Sequence, residues 1–313
     1  MDQETLSAAG LRYETEGPIA TITLDRPEKR NAQTPTMWRA LAALGGRIDD
    51  EIRVVLVRGE GHSFSAGLDR AMLDPTGSDQ ETVAGLLAHT DEEMSATIEE
   101  YQRGFTFLRD PRFVSIAVVQ GYAIGAGFQL ALSCDLRIST DDAQFSMKEA
   151  ALGLVPDLTG TKPLVEAVGL SRALEICATA RMVDADEAKR IGLVLDAVPA
   201  DRLGTAVDEL VAALTAPLPG VAREIKELLS GAGDRDLDEQ RRREREAQVR
   251  RFRELAALMG GRHEERGERW QACRGWASAP RSAISVPTAA SPTAGWPVAR
   301  YGGSSASPYP TSG

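Results

Sequence analysis

One stretch of this chain, residues 114–135, limits the possible folds more than any other. It begins with an apolar run of mostly β-branched residues, VSIAVV, which predicts a buried strand. Gly121, Gly125 and Gly127 follow, where the backbone can turn tightly and come close to a ligand. From Ala126 onward the apolar spacing is helical. The stretch therefore predicts a strand, a glycine turn and a helix whose first N–H groups can hold an anion or a negatively charged oxygen.

Three interpretations of this stretch stay open on its residues alone. It can be a core strand and helix whose glycines serve close packing. As a dinucleotide-binding fingerprint it is weaker, because Leu130 stands where the third glycine belongs and the acidic residue needed downstream is not evident. As an oxyanion hole it requires a second amide donor from another part of the chain.

The rest of the chain alternates strand and helix patterns, which predicts an α/β fold with right-handed crossovers. Thr34 can cap a helix with Pro35 at its first position. The run IRVVLVR is typical of a strand in a sheet that is covered on both faces. The predicted strands are 18–25, 52–58, 114–119, 135–139 and 194–198, and the predicted helices are 34–44, 91–101, 126 onward, 159–168, 171–178, 185–190 and 203–214.

Composition excludes several classes of function. At 313 residues, with 42% apolar and 26% charged residues, the chain fits one globular domain of about 250 residues plus an appendage. A formal charge of −10 argues against nucleic acid or an anionic membrane as the main partner. The charged run 234–258 indicates a helix that faces solvent or another subunit.

The cysteines and histidines indicate no metal site. Neither residue type has metal-ligand or CxxC spacing, and the positions are Cys134, Cys177 and Cys273, with His62, His89 and His263. This cysteine usage is typical of a reducing cytoplasm, where we expect the protein to be located. No signal peptide and no transmembrane helix are expected, because no apolar run reaches the required length.

A second segment can supply the missing amide donor. The sequence GHSFS resembles a nucleophile elbow, but Ser65 stands where the closing glycine should be, which argues against a serine hydrolase. Ala66 and Gly67 follow a predicted buried strand, so their backbone can present an N–H group at the strand end, facing the N–H of Ala126.

The two segments just described, together with their neighbours, make the chain resemble a known family. The segments SFSAGLD (63–69) and GYAIGAGFQLA (121–131) are similar to the two signature segments of the crotonase (enoyl-CoA hydratase/isomerase) superfamily. The strand 18–25 with the residues that follow it resembles the family's opening, and AQFSMKEAALGLVP (143–156) resembles its acid/base segment. The likeness covers about residues 10 to 250.

The resemblance implies a crotonase-like α/β fold, a spiral of ββα units with a C-terminal helical region. We expect the spiral in residues 1–200, the helical region in 201–260, and a disordered, atypical tail in 261–313. The tail is expected because 271–313 holds no acid and no lysine, but six prolines. Deleting residues 262–313 should leave folding and trimer formation unchanged.

The resemblance also implies an acyl-CoA substrate, a homotrimer or homohexamer, and no cofactor, because coenzyme A is part of the substrate. The thioester oxygen would lie between the N–H groups of Ala66 and Ala126, which can stabilise an enolate. Ala126 stands where the family usually has glycine, which is tolerated if its φ is negative. The other implied substrate-binding residues are Gly67, Leu68, Asp69, Gly125, Gly127, Gln129, and Lys29 or Arg30 at the CoA phosphates.

The proton-transferring groups depart from the hydratase pattern. Hydratases of the family use two glutamates, which correspond here to Gln129 and Glu149, and an amide cannot transfer a proton at neutral pH. The spacing of Glu149 and Asp157 resembles that of dienoyl-CoA isomerases, although those carry an aspartate in place of Gln129. Asp157 can equally cap a helix that begins near Thr159.

We therefore predict an enoyl-CoA hydratase/isomerase with Glu149 as the principal acid/base, aided by Asp157. Isomerisation is slightly favoured over hydration, because Gln129 removes one acid. Hydration stays open if Glu149 and Asp157 position a water. The alternative from another class is a non-catalytic acyl-CoA-binding homologue.

Overall fold

The computed structural model describes residues 2–74 and 81–260. Residue contacts divide the chain into two compact units, one ending at Arg251 and one beginning at Phe252. The first unit contains both β-sheets described below. The predicted tail, 261–313, lies outside the described residues.

The described strands are β1 (Leu11–Glu16), β2 (Ile19–Leu24), β3 (Val54–Gly59), β4 (Val114–Val119), β5 (Tyr122–Ile124), β6 (Leu136–Thr140), β7 (Gln144–Ser146), β8 (Val183–Asp184) and β9 (Asp196–Val198). The described α-helices are α1 (Gln3–Ala8), α2 (Pro35–Gly45), α3 (Val83–Leu86), α4 (Asp91–Thr106), α5 (Ala126–Ser133), α6 (Thr161–Val168), α7 (Leu170–Thr179), α8 (Ala185–Arg190), α9 (Leu203–Thr215), α10 (Val221–Leu229) and α11 (Leu237–Gly260).

Within the described residues, the larger sheet has six strands in the order β1-β2-β3-β4-β6-β9. The β1–β2 pair is antiparallel and the other pairs are parallel. Successive residues of the central strands point to opposite faces. Val54, Ile116 and Ile138 pack on one face under α9, whereas Val55 and Ala117 join the main core on the other. The sheet is therefore covered on both faces, as the apolar run in β3 predicts.

A smaller sheet, β5-β7-β8, completes the spiral of strand–strand–helix units. β5 follows β4 after two residues and runs parallel to β7, which itself follows β6. The chain thus places one strand in each sheet before it enters the next helix. This arrangement brings the segment after β3, the start of α5 and the segment after β7 together.

The sequence predicts most of the longer elements but misses the strands β1, β5 and β8 and the short helices α1 and α3. α2 begins as predicted, with the Thr34 hydroxyl accepting a hydrogen bond from the N–H of Met37 at 3.3 Å. β1, LRYETE, has one fully buried residue and so lacks the apolar alternation that marks a strand. β5 has three residues inside the predicted glycine turn, which is too short for a periodic signal. The predicted strands 52–58 and 194–198 and the helix 159–168 each begin two residues later than expected.

The C-terminal helices have two different roles in the first unit. α9 covers one face of the sheet, and α10 is held to the core through the buried Lys226. α11 exposes most of its side chains, and its acidic and basic residues pair along the helix, as Arg242 does with Glu239 and Glu246. The interpretation of 234–258 as a solvated helix fits these contacts.

Candidate active site

The turn between β5 and α5 leaves an amide donor free at the start of the helix. Gly125 has φ 52° and ψ −120°, a backbone conformation that favours glycine, and it precedes the helix. The first intrahelical bond runs from the N–H of Gln129 to the carbonyl of Gly125. The N–H of Ala126 has no hydrogen-bond partner among the described residues, as expected at a helix start. Ala126 is not among the residues with positive φ, so its β-carbon is tolerated.

The segment after β3 lies along β5 like an added strand. The N–H of Ser65 donates to the carbonyl of Tyr122 at 2.8 Å, and the N–H of Ile124 donates to the carbonyl of Ser65 at 3.0 Å. Gly67, at φ 89°, passes so close to the β5–α5 turn that a β-carbon there would lie 2.5 Å from the Ile124 oxygen and 3.6 Å from the Ala126 nitrogen. The two predicted loops therefore meet, and position 67 requires glycine.

Ala66 does not supply the second donor. Its N–H donates to the carbonyl of Arg30 at 2.8 Å, so it is already used within the fold. The prediction of Ala66 as an oxyanion donor is wrong, because the sequence does not reveal which side of the loop each amide faces. Ala66 instead fixes the loop against the turn at Arg30.

Leu68 is the residue of this loop whose N–H stays available. The carbonyl of Gly67 accepts from the N–H of Gln33, and the N–H of Asp69 donates to the carbonyl of Gln33. In this parallel bridge between Gln33 and Leu68, the N–H of Leu68 points away from the Gln33 segment. It has no hydrogen-bond partner among the described residues. Leu68, next to Gly67, and Ala126 therefore each keep an unpaired N–H on one of the two loops that meet at Gly67.

Three side chains that the sequence analysis did not assign hold the loop in place. The Asn31 side chain donates to the carbonyls of Glu60 and Ser63, and the buried Gln33 donates to the Ser65 hydroxyl. Arg26 forms an ion pair with Asp69 at 2.9 Å. No periodicity marks these residues, since each acts through contacts with residues far along the chain.

Glu149 lies beside the free donor of α5. A β-carbon on Gly125 would be 3.3 Å from the Glu149 Oε1 atom, so the glycine leaves room for the carboxyl group. Burial raises the pKa of Glu149 above its ordinary value, and the charge of Asp157 adds to this effect. The Oε2 atom is buried and has no hydrogen-bond partner among the described residues. A carboxyl group with a raised pKa and one free oxygen is suited to moving a proton.

Gln129 contacts Glu149 directly. It lies one turn after Ala126 on α5, is fully buried, and donates from Nε2 to the Glu149 Oε1 atom at 2.7 Å. Its own oxygen accepts from the N–H groups of Leu158 at 2.8 Å and Gly160 at 3.2 Å. Within the described residues, the amide nitrogen and the amide oxygen of Gln129 therefore both have protein groups as hydrogen-bond partners.

Asp157 lies near Glu149 but does not cap a helix. α6 begins at Thr161, and its N-terminal Gly160 position has no side-chain cap, so the capping interpretation is wrong. Although Asp157 keeps exposed surface, partial desolvation of its carboxyl raises its pKa. Its backbone oxygen accepts from the side chain of Gln102. The role of its carboxyl group in proton transfer stays a prediction.

Lys29 and Arg30 lie on the surface at the outer end of the site. Lys29 ends a short 3-10 turn, Pro27–Lys29, and Arg30 follows with φ 50°. Both side chains are exposed, and the backbone of Arg30 holds Ala66. Their role at the CoA phosphates stays a prediction.

A cavity of about 1330 Å³ lies elsewhere, between α6 and α10, and its lining includes neither Ala126 nor Glu149. In residues 2–74 and 81–260, no cluster of three acidic, histidine or cysteine side chains could hold a metal ion. No helix in these ranges combines the length and the apolar character needed to cross a bilayer.

Comparison with known proteins identifies the family. The sequence model of the enoyl-CoA hydratase/isomerase family matches residues 14–272. The chain is 31% identical over 224 residues to the probable enoyl-CoA hydratase echA8 of Mycobacterium bovis, covering 71% of this chain and 81% of that one. It is 34% identical over 231 residues to the mitochondrial Δ(3,5)-Δ(2,4)-dienoyl-CoA isomerase of Rattus norvegicus, covering 71% and 68%.

The solved structures agree. A putative enoyl-CoA hydratase from Thermobifida fusca, in complex with CoA, is 49% identical, has a TM-score of 0.77, and is matched over 82% of this chain and 98% of its own. The expected crotonase-like spiral of ββα units, followed by a C-terminal helical region, is confirmed by this likeness. The chain belongs to the enoyl-CoA hydratase/isomerase family, the crotonase superfamily.

Proposed function

We propose that this protein is an enzyme that moves a double bond in an unsaturated acyl-CoA thioester, through an enolate held by the N–H groups of Leu68 and Ala126. The observation that carries the proposal is the position of Glu149. Its free Oε2 atom is buried beside the turn that presents the Ala126 N–H. A carboxylate there can remove a proton from a carbon near the thioester while the developing charge on the thioester oxygen is stabilised.

The reaction balances with one carboxyl group. Glu149 takes a proton from one carbon of the acyl chain, the electrons delocalise onto the thioester oxygen, and the same proton returns to a different carbon. The raised pKa of Glu149 brings its basicity closer to that of the carbon acid than an exposed carboxylate would be. Asp157, whose pKa is also raised, can receive or return a proton along the acyl chain.

Isomerisation is favoured over hydration because Gln129 replaces a proton-transferring group. Water addition in hydratases of the family uses two glutamates, and an amide can neither take up nor release a proton at neutral pH. Lys29 or Arg30 would meet the CoA phosphates. No cofactor beyond the CoA of the substrate is required by this chemistry. The homotrimer or homohexamer and the cytoplasmic location stay predictions.

A panel of thioesters tests the reaction. The protein is incubated with 2-enoyl, 3-enoyl and 3,5-dienoyl thioesters of CoA, and the products are separated by chromatography. We expect double-bond movement in the 3-enoyl or 3,5-dienoyl substrate to be faster than water addition to the 2-enoyl substrate. Faster hydration would contradict the preference, and no turnover of any thioester would favour the acyl-CoA-binding alternative.

Removal of one amide donor tests the oxyanion site. Ala126→Pro deletes the N–H at the first position of α5, where proline suits a helix. We expect kcat to fall by about 10²–10³-fold, which is typical of the loss of one such donor. Leu170→Pro is the matched control, because Leu170 begins α7 after a glycine in the same way and is exposed. Equal activity in the two variants would contradict the assignment of Ala126.

A further inference from the structure

The amide of Gln129 has only one possible orientation. Its oxygen accepts from two backbone N–H groups, those of Leu158 and Gly160. Backbone N–H groups donate and cannot accept. Rotating the amide by 180° would place its NH₂ group against two donors and its oxygen against the Glu149 carboxylate. The hydrogen-bond network therefore fixes which atom of Gln129 faces Glu149.

This orientation makes the two oxygens of Glu149 different. Oε1 accepts from the Gln129 Nε2 atom at 2.7 Å. Oε2 is buried and has no partner among the described residues. Because Gln129 is completely buried, water does not compete for its hydrogen bond to Oε1.

We propose that Gln129 is a positioning residue that reserves Oε1 of Glu149 for a hydrogen bond and leaves Oε2 as the oxygen that exchanges a proton with the substrate. This inference rests on the proposed function and deepens it. Since the Gln129 amide has no transferable proton, Glu149 is the member of this hydrogen-bonded pair that can transfer one. The arrangement favours returning the proton to carbon over activating a water.

The hydrogen bond also affects when Glu149 is ionised. Burial raises its pKa, and the bond from Gln129 opposes that effect because it stabilises the carboxylate. Without the bond the pKa rises further. The acidic limb of the pH–rate profile, which reports the ionisation of the base, then moves to higher pH.

Gly160 offers an independent way to disturb this arrangement without changing Gln129. A β-carbon at position 160 would lie 2.7 Å from the Gln129 Cγ atom. The backbone of Gly160 has φ −72°, which any residue can adopt, so the effect of alanine there is steric. Gly160→Ala should therefore push Gln129 away from Glu149.

The experiment compares three variants with the wild type. Gln129→Met keeps the length of the side chain but removes the donor, Gly160→Ala displaces it, and Gln129→Glu supplies an isosteric group that can transfer a proton. The pH dependence of kcat/KM is measured with the thioester that the wild type isomerises. The pKa of Glu149 is followed separately by infrared titration of its carboxyl band, with Glu149→Gln as the blank.

We expect Gln129→Met and Gly160→Ala to lower kcat/KM by about 10–100-fold and to move both the acidic limb and the Glu149 titration to higher pH. Gln129→Glu, when protonated, can reproduce every hydrogen bond of the glutamine. It should raise hydration relative to isomerisation by about tenfold or more, because a second acid/base group is then present.

Gln120→Met is the matched control. The Gln120 amide donates to the carbonyls of Gly59 and Gly61, so its loss removes two hydrogen bonds to the backbone, as in Gln129→Met, but away from Glu149. This variant should leave the pH profile and the Glu149 titration in place.

An unchanged Glu149 titration in both Gln129→Met and Gly160→Ala would overturn the inference. If Gln129→Met does not fold, Gly160→Ala decides by the Glu149 titration, and Gln129→Glu decides by the ratio of hydration to isomerisation. A shifted titration in a protein that turns over no thioester would support the positioning role and contradict the proposed function. Normal turnover with an unshifted titration would support the proposed function and contradict the positioning role.

Discussion

The fold treats two of its charged residues, the partly buried Glu149 and the buried Lys226, in opposite ways. The Lys226 ammonium group donates to Asp135 and to the carbonyls of Asp110 and Phe113 at 2.6–2.8 Å, with Leu108 at 3.5 Å. Glu149 receives one side-chain hydrogen bond at Oε1, and its Oε2 atom has no partner in the described residues.

The partner of Lys226 is also held by several hydrogen bonds, all of them to its Oδ2 atom. Asp135 accepts from the N–H and the hydroxyl of Ser115 as well as from Lys226. Desolvation lowers the pKa of Lys226, whereas the nearby Asp135 carboxylate opposes that effect. The pair joins α10 to the residue before β6, and Asp135 is bonded in turn to Ser115 of β4, so the pair holds α10 to the sheet.

The difference in hydrogen bonding between Lys226 and Glu149 distinguishes a buried charge that stabilises the fold from one that serves function. A buried charge that only holds the fold together needs every hydrogen bond it can make, because each missing one costs stability. A carboxyl group that exchanges a proton with a substrate must keep one oxygen free. The fold satisfies Lys226 and leaves Oε2 of Glu149 without a partner among the described residues, beside the turn at Gly125.

The largest expected effect is on catalysis. Glu149→Gln should lower kcat by about 10²–10⁴-fold, because the amide cannot transfer a proton. Binding of a CoA thioester, measured by calorimetry, should change little, since the N–H donors of Leu68 and Ala126 are untouched. A protein that only binds acyl-CoA would have no turnover to lose.

The next largest effect is on stability. Lys226→Met should lower the free energy of unfolding by about 3–5 kcal/mol, because it leaves Asp135 buried without its counter-ion. The double variant Lys226→Met/Asp135→Asn should regain part of this loss. Chemical denaturation followed by circular dichroism measures both.

Arg250→Met is the control for this prediction. Arg250 pairs with Glu224 at 2.7 Å, but its side chain is half exposed, so water screens the pair. We expect little or no change in stability. A loss equal to that of Lys226→Met would show that burial is not what distinguishes the two ion pairs.

The smallest effect is a pH-dependent gain in stability for Glu149→Gln. The folded-state pKa of Glu149 is raised above 4.5, so between 4.5 and that pKa the native state binds more protons than the unfolded state. The contribution of Glu149 to stability therefore falls as the pH rises through this window. Glutamine removes the dependence.

We expect equal melting temperatures at pH 4 for Glu149→Gln and wild type, and a higher melting temperature for the variant at pH 8. Scanning calorimetry across this pH range measures the difference. A difference that stays constant with pH would contradict the burial of an ionised Glu149.

Local sequence determined much of the fold. The capped start of α2, the apolar β3 and β4, and the turn at Gly125 depend on neighbouring residues and follow from short-range patterns. The likeness of 143–156 to a known family also marked Glu149 as the candidate acid/base group. These features are readable because spacing along the chain encodes them.

Tertiary structure decided what depends on residues far apart in the chain. Whether Ala66 or Leu68 offers a free N–H depends on the contacts of the loop with Arg30 and Gln33. The pairing of Lys226 with Asp135 joins residues 91 positions apart. Hydrogen bonds have direction and burial changes pKa, and neither property exists until the packed chain sets the orientation and solvent exposure of each group.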